Sequence, residues 1–318
     1  MRVQVAVVLA LVGCYQPEVP AGVRCSQTGD CPHGQSCDRV RGVCGGPPGD
    51  APPDDVAIDT PSDTPGIDAP VLGAWGNVQP LTALNTASID TDPTISSDGL
   101  ELFFGSNRPG VGSHDLYRST RASTSSAFGA PTIVAELSTT AFESAPELTK
   151  DDLTLYFRRA ANIYRATRPD RASPFGAAVL DIGLSSLELD TNPALSPDQL
   201  TASVTRELTV TNRDLFLYRR TSTSASWGPA VLMTELTTPG TDSGAAFTSD
   251  PLELYFHSDR TGATDIYRAT RPSAADAFAA PALVSELASA VLDSDPSLTL
   301  DRRIIVFERA SDLMIATR

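Results

Sequence analysis

The chain has 318 residues, a formal net charge of −15, 41% hydrophobic and 20% charged residues. That length and apolar content suit a chain that buries a core, as two ordinary domains or one large repeat architecture. Such acidity repels a phosphate backbone, so nucleic acid is excluded as a partner.

Residues 1–13 carry one positive charge, Arg2, followed by an almost unbroken apolar run from Val3 to Val12. The run is too short to span a bilayer, which takes about 20 residues. It reads as an export signal. Its end, Leu11-Val12-Gly13-Cys14, resembles the lipobox of bacterial lipoproteins. The resemblance implies cleavage after Gly13, diacylglycerol on the Cys14 thiol and acylation of the new amine. Two or three acyl chains anchor stably where one does not. Tyr15, not an aspartate, follows the cysteine. The expected address is therefore the bacterial cell envelope, at the outer membrane on its periplasmic side or at the cell surface. Contact with the membrane is expected through the lipid anchor only.

Residues 14–44 form a cysteine-rich module with Cys25, Cys31, Cys37 and Cys44 separated by five, five and six residues. An even count in an exported segment predicts two disulfides, with three connectivities open. Structural zinc sites favour close C-x2-C pairs, so disulfides are preferred to metal, and His33 reads as a loop residue. Residues 45–73 hold seven prolines, six aspartates and no basic residue. They read as a disordered stalk reaching roughly 90 Å at most.

From residue 74 the chain repeats itself. Asp98, Asp151, Asp198, Asp250 and Asp301 occupy one position in five units spaced by 53, 47, 52 and 51 residues. Each unit ends in an arginine: Arg121, Arg168, Arg220, Arg271 or Arg318. Short β runs split by Gly, Pro, Asp and Ser turns predict four strands per unit, and hence a β-propeller. The last unit lacks an aromatic-glycine strand, and one stands before the first unit as Ala74-Trp75-Gly76. A ring needs no polar caps if that strand completes the last blade. The prediction is an all-β, five-bladed propeller over residues 74–318, with Trp75 in the role of Phe128 and Trp227. Segments such as Asp90–Gly99, Ser106–Arg108, Asp115–Arg121 and Asp265–Arg271 resemble the WD40-like repeats of TolB-type propellers. The resemblance implies the same fold, although TolB carries an α/β domain where this chain has its cysteine module.

Standard catalytic motifs are missing, and no catalytic residue is assigned. His114 and His257 stand at non-equivalent places and read as surface loop residues. Eight residues before each alignment aspartate lies an acid: Asp90, Glu143, Asp190, Asp242 and Asp293. Five equivalent carboxylates at the innermost strand would ring the channel mouth and attract calcium or a basic partner segment. The same spacing also fits acids that close their own turns. No cofactor other than that calcium ion is expected. The expected function is a non-catalytic binding or scaffold module for an envelope protein or polysaccharide, monomeric because a closed ring leaves no free blade edge. The alternatives are a purely structural envelope protein and a glycoside hydrolase with a channel-mouth carboxylate pair.

Overall fold

The computed structural model describes residues 72–318 and, before them, the backbone of two short strands. These are β1 (Ser36–Asp38) and β2 (Val43–Gly45), an antiparallel pair that sets Cys37 opposite Cys44. The signal at 1–13, the lipidation of Cys14, the disulfides of Cys25, Cys31, Cys37 and Cys44 and most of the 45–73 stalk lie outside the described residues.

The C-terminal unit begins with β3 (Gly76–Pro80) and then builds five antiparallel sheets. Blade 1 holds β4 (Asp90–Ile95), β5 (Glu101–Ser106), β6 (Asp115–Thr120) and β7 (Thr132–Ile133). Blade 2 holds β8 (Glu143–Leu148), β9 (Thr154–Arg159), β10 (Asn162–Thr167) and β11 (Val179–Leu180). Blade 3 holds β12 (Leu189–Leu195), β13 (Thr201–Thr209), β14 (Asn212–Arg219) and β15 (Val231–Leu232). Blade 4 holds β16 (Asp242–Phe247), β17 (Glu253–Ser258), β18 (Asp265–Thr270) and β19 (Ala282–Leu283). Blade 5 holds β20 (Asp293–Leu298), β21 (Ile304–Arg309) and β22 (Asp312–Thr317), and its outer strand is β3. The five inner strands touch one another in turn, from β4 through β20 and back to β4. The described residues therefore form an all-β, five-bladed propeller without helices.

The second strand of each blade is sandwiched between neighbouring sheets, so both its faces are apolar. Every residue of β5 and β17 is buried. The core lies between blades: Leu102, Phe104 and Tyr117 of blade 1 pack with Ile304, Val306 and Leu313 of blade 5. The alignment aspartates close the turn between first and second strands. Asp98 Oδ1 accepts from Ser96 Oγ at 2.8 Å and Leu100 N at 3.0 Å, and Asp151, Asp198 and Asp301 repeat both contacts. At Asp250 the bond to the backbone is kept, from Leu252 N at 3.0 Å.

The strand-end arginines stack on the aromatic residue of their own blade. Arg121, Arg168, Arg220 and Arg271 lie 4.1–4.7 Å from the rings of Phe128, Phe175, Trp227 and Phe278. Each also donates Nε to a backbone carbonyl, at Gly99, Asp152, Gln199 and Pro251. Arg318 completes the set 4.1 Å over Trp75, although some 240 residues separate them in the chain. The register Met314↔Pro80, Ile315↔Gln79 and Thr317↔Gly76 fixes the closing strand.

Trp75 is 6% exposed and meets Tyr255 edge-on at 6.5 Å. Trp75→Ala is expected to lower stability by about 3–5 kcal/mol, as for other large aromatic truncations. Urea unfolding followed by far-UV circular dichroism checks this. A loss near zero would show that the ring does not depend on its N-terminal strand.

Candidate functional site

Asp90, Glu143, Asp190, Asp242 and Asp293 do head the inner strands, and all are fully buried. Each is paired with an arginine at the end of the second strand or just beyond it, or, for Arg206, within it. Glu143 meets Arg159 at 2.9 Å, Asp190 meets Arg206 at 3.0 Å, Asp242 meets Arg260 at 2.7 Å and Asp293 meets Arg309 at 2.6 Å. Asp90 and Arg108 form the same pair. Four of the acids also accept a turn N–H, from Thr86, Thr139, Ser186 and Thr238. The expected ligand ring at these five positions is therefore corrected. Their oxygens face arginines and turn amides within the fold, except Asp293 Oδ2, which has no hydrogen-bond partner among the described residues, and they leave no open ring for calcium or a basic segment.

The channel is lined two residues further on. In all five inner strands the ladder breaks there: the register shifts between Thr91 and Thr94, Ser144 and Glu147, Thr191 and Ala194, Ser243 and Ala246, and Ser294 and Ser297. Four of the bulges contain a proline, Pro93, Pro146, Pro193 or Pro296, which has no N–H to give the ladder. The preceding residue adopts a left-handed backbone: Asp92 (φ 51°), Ala145 (50°), Asn192 (43°), Gly244 (61°) and Asp295 (49°). Asp, Asn and Gly tolerate this region, whereas Ala145 is strained in it.

The second strands contribute one residue each at the matching level: Gly105, Arg158, Thr205, His257 and Glu308. Unlike the five acids, these two rings differ from blade to blade. The carboxylates of Asp92, Asp295 and Glu308 come together, with ligand-type oxygens within 4.8 Å of one another. Asn192 Nδ2 donates across the channel to Asp92 at 3.2 Å and to Asp295 at 2.7 Å. His257 Nδ1 accepts from Asp295 N at 3.1 Å. The absent side chain of Gly105 admits His114, since a Cβ there would stand 2.8 Å from its Nε2. Both histidines are buried against this channel, at 5% and 7% exposure, not in surface loops as expected.

No arginine pairs with Asp92, Asp295 or Glu308 among the described residues. Arg213 is held by Glu207 at 3.0 Å, and Arg158 donates to Ala160 O while lying over Phe142. Burial and their mutual repulsion push Asp92 and Glu308 up, to about 6 and about 9, and burial pushes Asp295 to about 6. Burial lowers His257 to about 4, so it stays neutral. Further along the channel, burial also raises Glu147, and Lys150 Nζ reaches across to Leu298 O at 2.8 Å. The space among the bulges is about 30 Å³, enough for about one or two waters and too small for a sugar ring. Chemically, three carboxylates without an arginine ion pair around such a space, with Arg158 and Arg213 acting on them only through space, suit a hard cation, or the ammonium or guanidinium tip of an entering side chain.

No family model matches the chain, and no curated protein sequence does. Among solved structures it is similar to TolB from Acinetobacter baumannii, with 17% identity and a TM-score of 0.45, over 66% of this chain and 47% of that one. The chain thus spans about half the length of that relative. A putative TolB from Agrobacterium tumefaciens gives 19% identity and 0.46, over 72% of this chain and 75% of that one. An α-L-arabinofuranosidase from Podospora anserina, solved with cellotriose, gives 12% and 0.54, over 77% and 96%. At these identities the likeness is one of fold.

Two substitutions separate the two kinds of acid. Asp242→Asn strands a buried arginine and is expected to cost about 3–5 kcal/mol at neutral pH. Glu308→Gln has the opposite sign. The folded chain holds the protons of Asp92, Asp295 and Glu308 above their ordinary 3.8–4.5, so wild-type stability falls as pH rises from about 4 through 9. Glu308→Gln is expected to stabilise at pH 8 by more than about 1.4 kcal/mol, or about tenfold in the folding equilibrium. The gain should vanish near pH 4.5. Denaturant titrations at the two pH values decide it, and a destabilised Glu308→Gln at pH 8 would refute the unpaired-cluster account.

Proposed function

We propose that the chain is a lipid-anchored protein of the bacterial cell envelope whose propeller binds, without catalysis, a segment of a partner protein. The observation that carries this reading is the unpaired carboxylate cluster of Asp92, Asp295 and Glu308 inside a face that also exposes apolar side chains. The loops that precede the inner strands and those that join second to third strands lie at the same end of the blades. Ile89, Phe142, Leu187, Val210, Val291 and Leu292 stand there, between 36% and 103% exposed. Monomeric surfaces rarely group large apolar residues without a binding role. A segment with a basic tip and apolar neighbours matches both features, which a neutral polysaccharide does not. The space of about 30 Å³ among the bulges favours binding over glycoside hydrolysis, because it is too small to hold a sugar ring. Cys14 supplies the anchor, the four later cysteines two disulfides, and residues 45–73 the reach from the lipid surface. Calcium is a rival occupant of the same carboxylates and serves as a competitor in the test.

The test uses the mature chain to capture partners from detergent-solubilised envelope. Wild type is compared with Asp92→Asn/Glu308→Gln, with Leu187→Asp/Val210→Asp, and with wild type in added calcium chloride. A protein held by wild type and reduced at least about tenfold by both double variants is expected, and calcium should displace it. A capture unchanged in Asp92→Asn/Glu308→Gln would reject the reading. Metabolic labelling with a palmitate analogue, lost in Cys14→Ser, checks the anchor separately.

A further inference from the structure

Among the inter-blade clefts, those between blades 1 and 2 and between blades 4 and 5 carry a buried glutamate pair and serve as controls for the cleft between blades 3 and 4. Blade 5 has Ile304, Val306 and Ile315 at the corresponding places. In the cleft between blades 1 and 2, Glu101 is buried and meets Arg168 at 2.6 Å as well as Arg118. In the cleft between blades 4 and 5, Glu253 meets Arg268 at 2.5 Å and Arg302 at 3.2 Å. The cross-strand partners there are Phe103 with Arg118 and Tyr255 with Arg268. Blade 3 departs at every one of these places. Thr201 stands for the glutamate, Leu217 for the arginine and Ser203 for the aromatic ring.

These exchanges remove a charge pair and an aromatic ring, and the cleft holds two lobes of about 350 and 320 Å³. The cleft beside Glu253 and Arg268, which keeps the pair, holds about 400 Å³, so the difference is the charge and apolar character of the lining rather than its size. The lobes share Leu217, Arg219, Arg271 and Phe278. That is the size range of small-molecule sites. Ser203 beneath is fully buried, and its Oγ has no hydrogen-bond partner. Arg219 is exposed and forms no ion pair with any described residue. Arg271 donates Nε to Pro251 O at 2.9 Å and lies 4.6 Å over Phe278, again without a carboxylate. Glu235, Asp276 and Asp198 also line the lobes, and Asp276 and Glu235 act on Arg271 through space, yet none forms an ion pair with either guanidinium. Burial, and then the like charge of Arg219, lower Arg271 from its ordinary value. Two cations beside an apolar floor lack the glutamate that the clefts between blades 1 and 2 and between blades 4 and 5 supply from within.

We propose that the cleft between blades 3 and 4 is a binding site for a small amphipathic carboxylate, its head held by Arg219 and Arg271 and its apolar body laid along Leu217, Phe247 and Phe278. The site lies on the outer flank between blades and is independent of the channel face. Charged hydrogen bonds to arginine fix the head, and the apolar floor contributes roughly 25 cal/mol per Å² of buried surface.

Decanoate, below its micelle concentration, is the probe, titrated calorimetrically into the full chain. Decanol keeps the tail without the charge, and butyrate the charge without the tail; each should bind at least tenfold more weakly. Arg219→Gln touches an exposed, unpaired side chain and should weaken decanoate at least tenfold with an unchanged melting temperature. Thr201→Glu/Leu217→Arg introduces the pair found in the clefts between blades 1 and 2 and between blades 4 and 5, and should abolish binding. Ser203→Phe fills the same space should that double variant not fold. No decanoate binding, binding of decanol as tight as decanoate, or full binding by Arg219→Gln would each overturn the proposal.

Discussion

The buried acid–arginine pair at the head of each inner strand is the constraint on which the rest of the propeller depends. Taking two charges out of water costs several kcal/mol per ion, and only good geometry with further hydrogen bonds offsets it. Here the geometry is complete in most blades. Arg159 Nη2 and Arg260 Nη2 also donate to Leu137 O and Leu236 O at 2.6 Å, so the loop entering the blade is fixed by the pair that fixes the strand. Once the first residue is held at both ends, the next two can leave the ladder without loosening the sheet. The proline bulges, the left-handed residues before them and the shape of the channel follow from that anchoring.

Onto this fivefold frame the chain sets unequal occupants. At the bulge, blades 1 and 5 carry carboxylates, blade 3 an amide, and blades 2 and 4 only Ala145 and Gly244. Glu308 adds a third carboxylate from blade 5, the blade whose outer strand comes from the N-terminal end of the propeller. Two of the three clustered acids thus sit in the first two strands of the sheet that β3 closes at its outer edge.

The architecture was largely legible in the sequence, because propeller units repeat the residues that turns demand. The alignment aspartates, the aromatic–arginine stacking partners and the permuted Trp75 strand all lie where pattern and closure place them. The site was not legible for the same reason. A search for equivalence finds Asp90 and its four counterparts, and equivalence here marks scaffold. The channel positions carry Asp, Ala, Asn, Gly and Asp, a set that reads as noise unless the following Pro is taken as the sign of a bulge. His114 and His257 look incidental in the sequence because they come from different strands, and only folding brings both beside the same carboxylates. The strand-end arginines give their Nε groups to carbonyls, not to the aspartates of the third strands, of which Asp115 accepts from Val111 N and Gly112 N.

Departures from a repeat are informative in proportion to what they leave uncompensated. Asp92, Asp295 and Glu308 are three clustered acids that form no arginine ion pair, and Arg219 and Arg271 two neighbouring cations that form no ion pair, among the described residues. A protein of net charge −15 repels anions at long range. An anion must therefore be retained in the blade 3–4 cleft by contacts within it, which explains why apolar floor and arginines belong together. The channel has the reverse condition: a net negative charge favours the approach of a cation, and the space among its bulges is about 30 Å³.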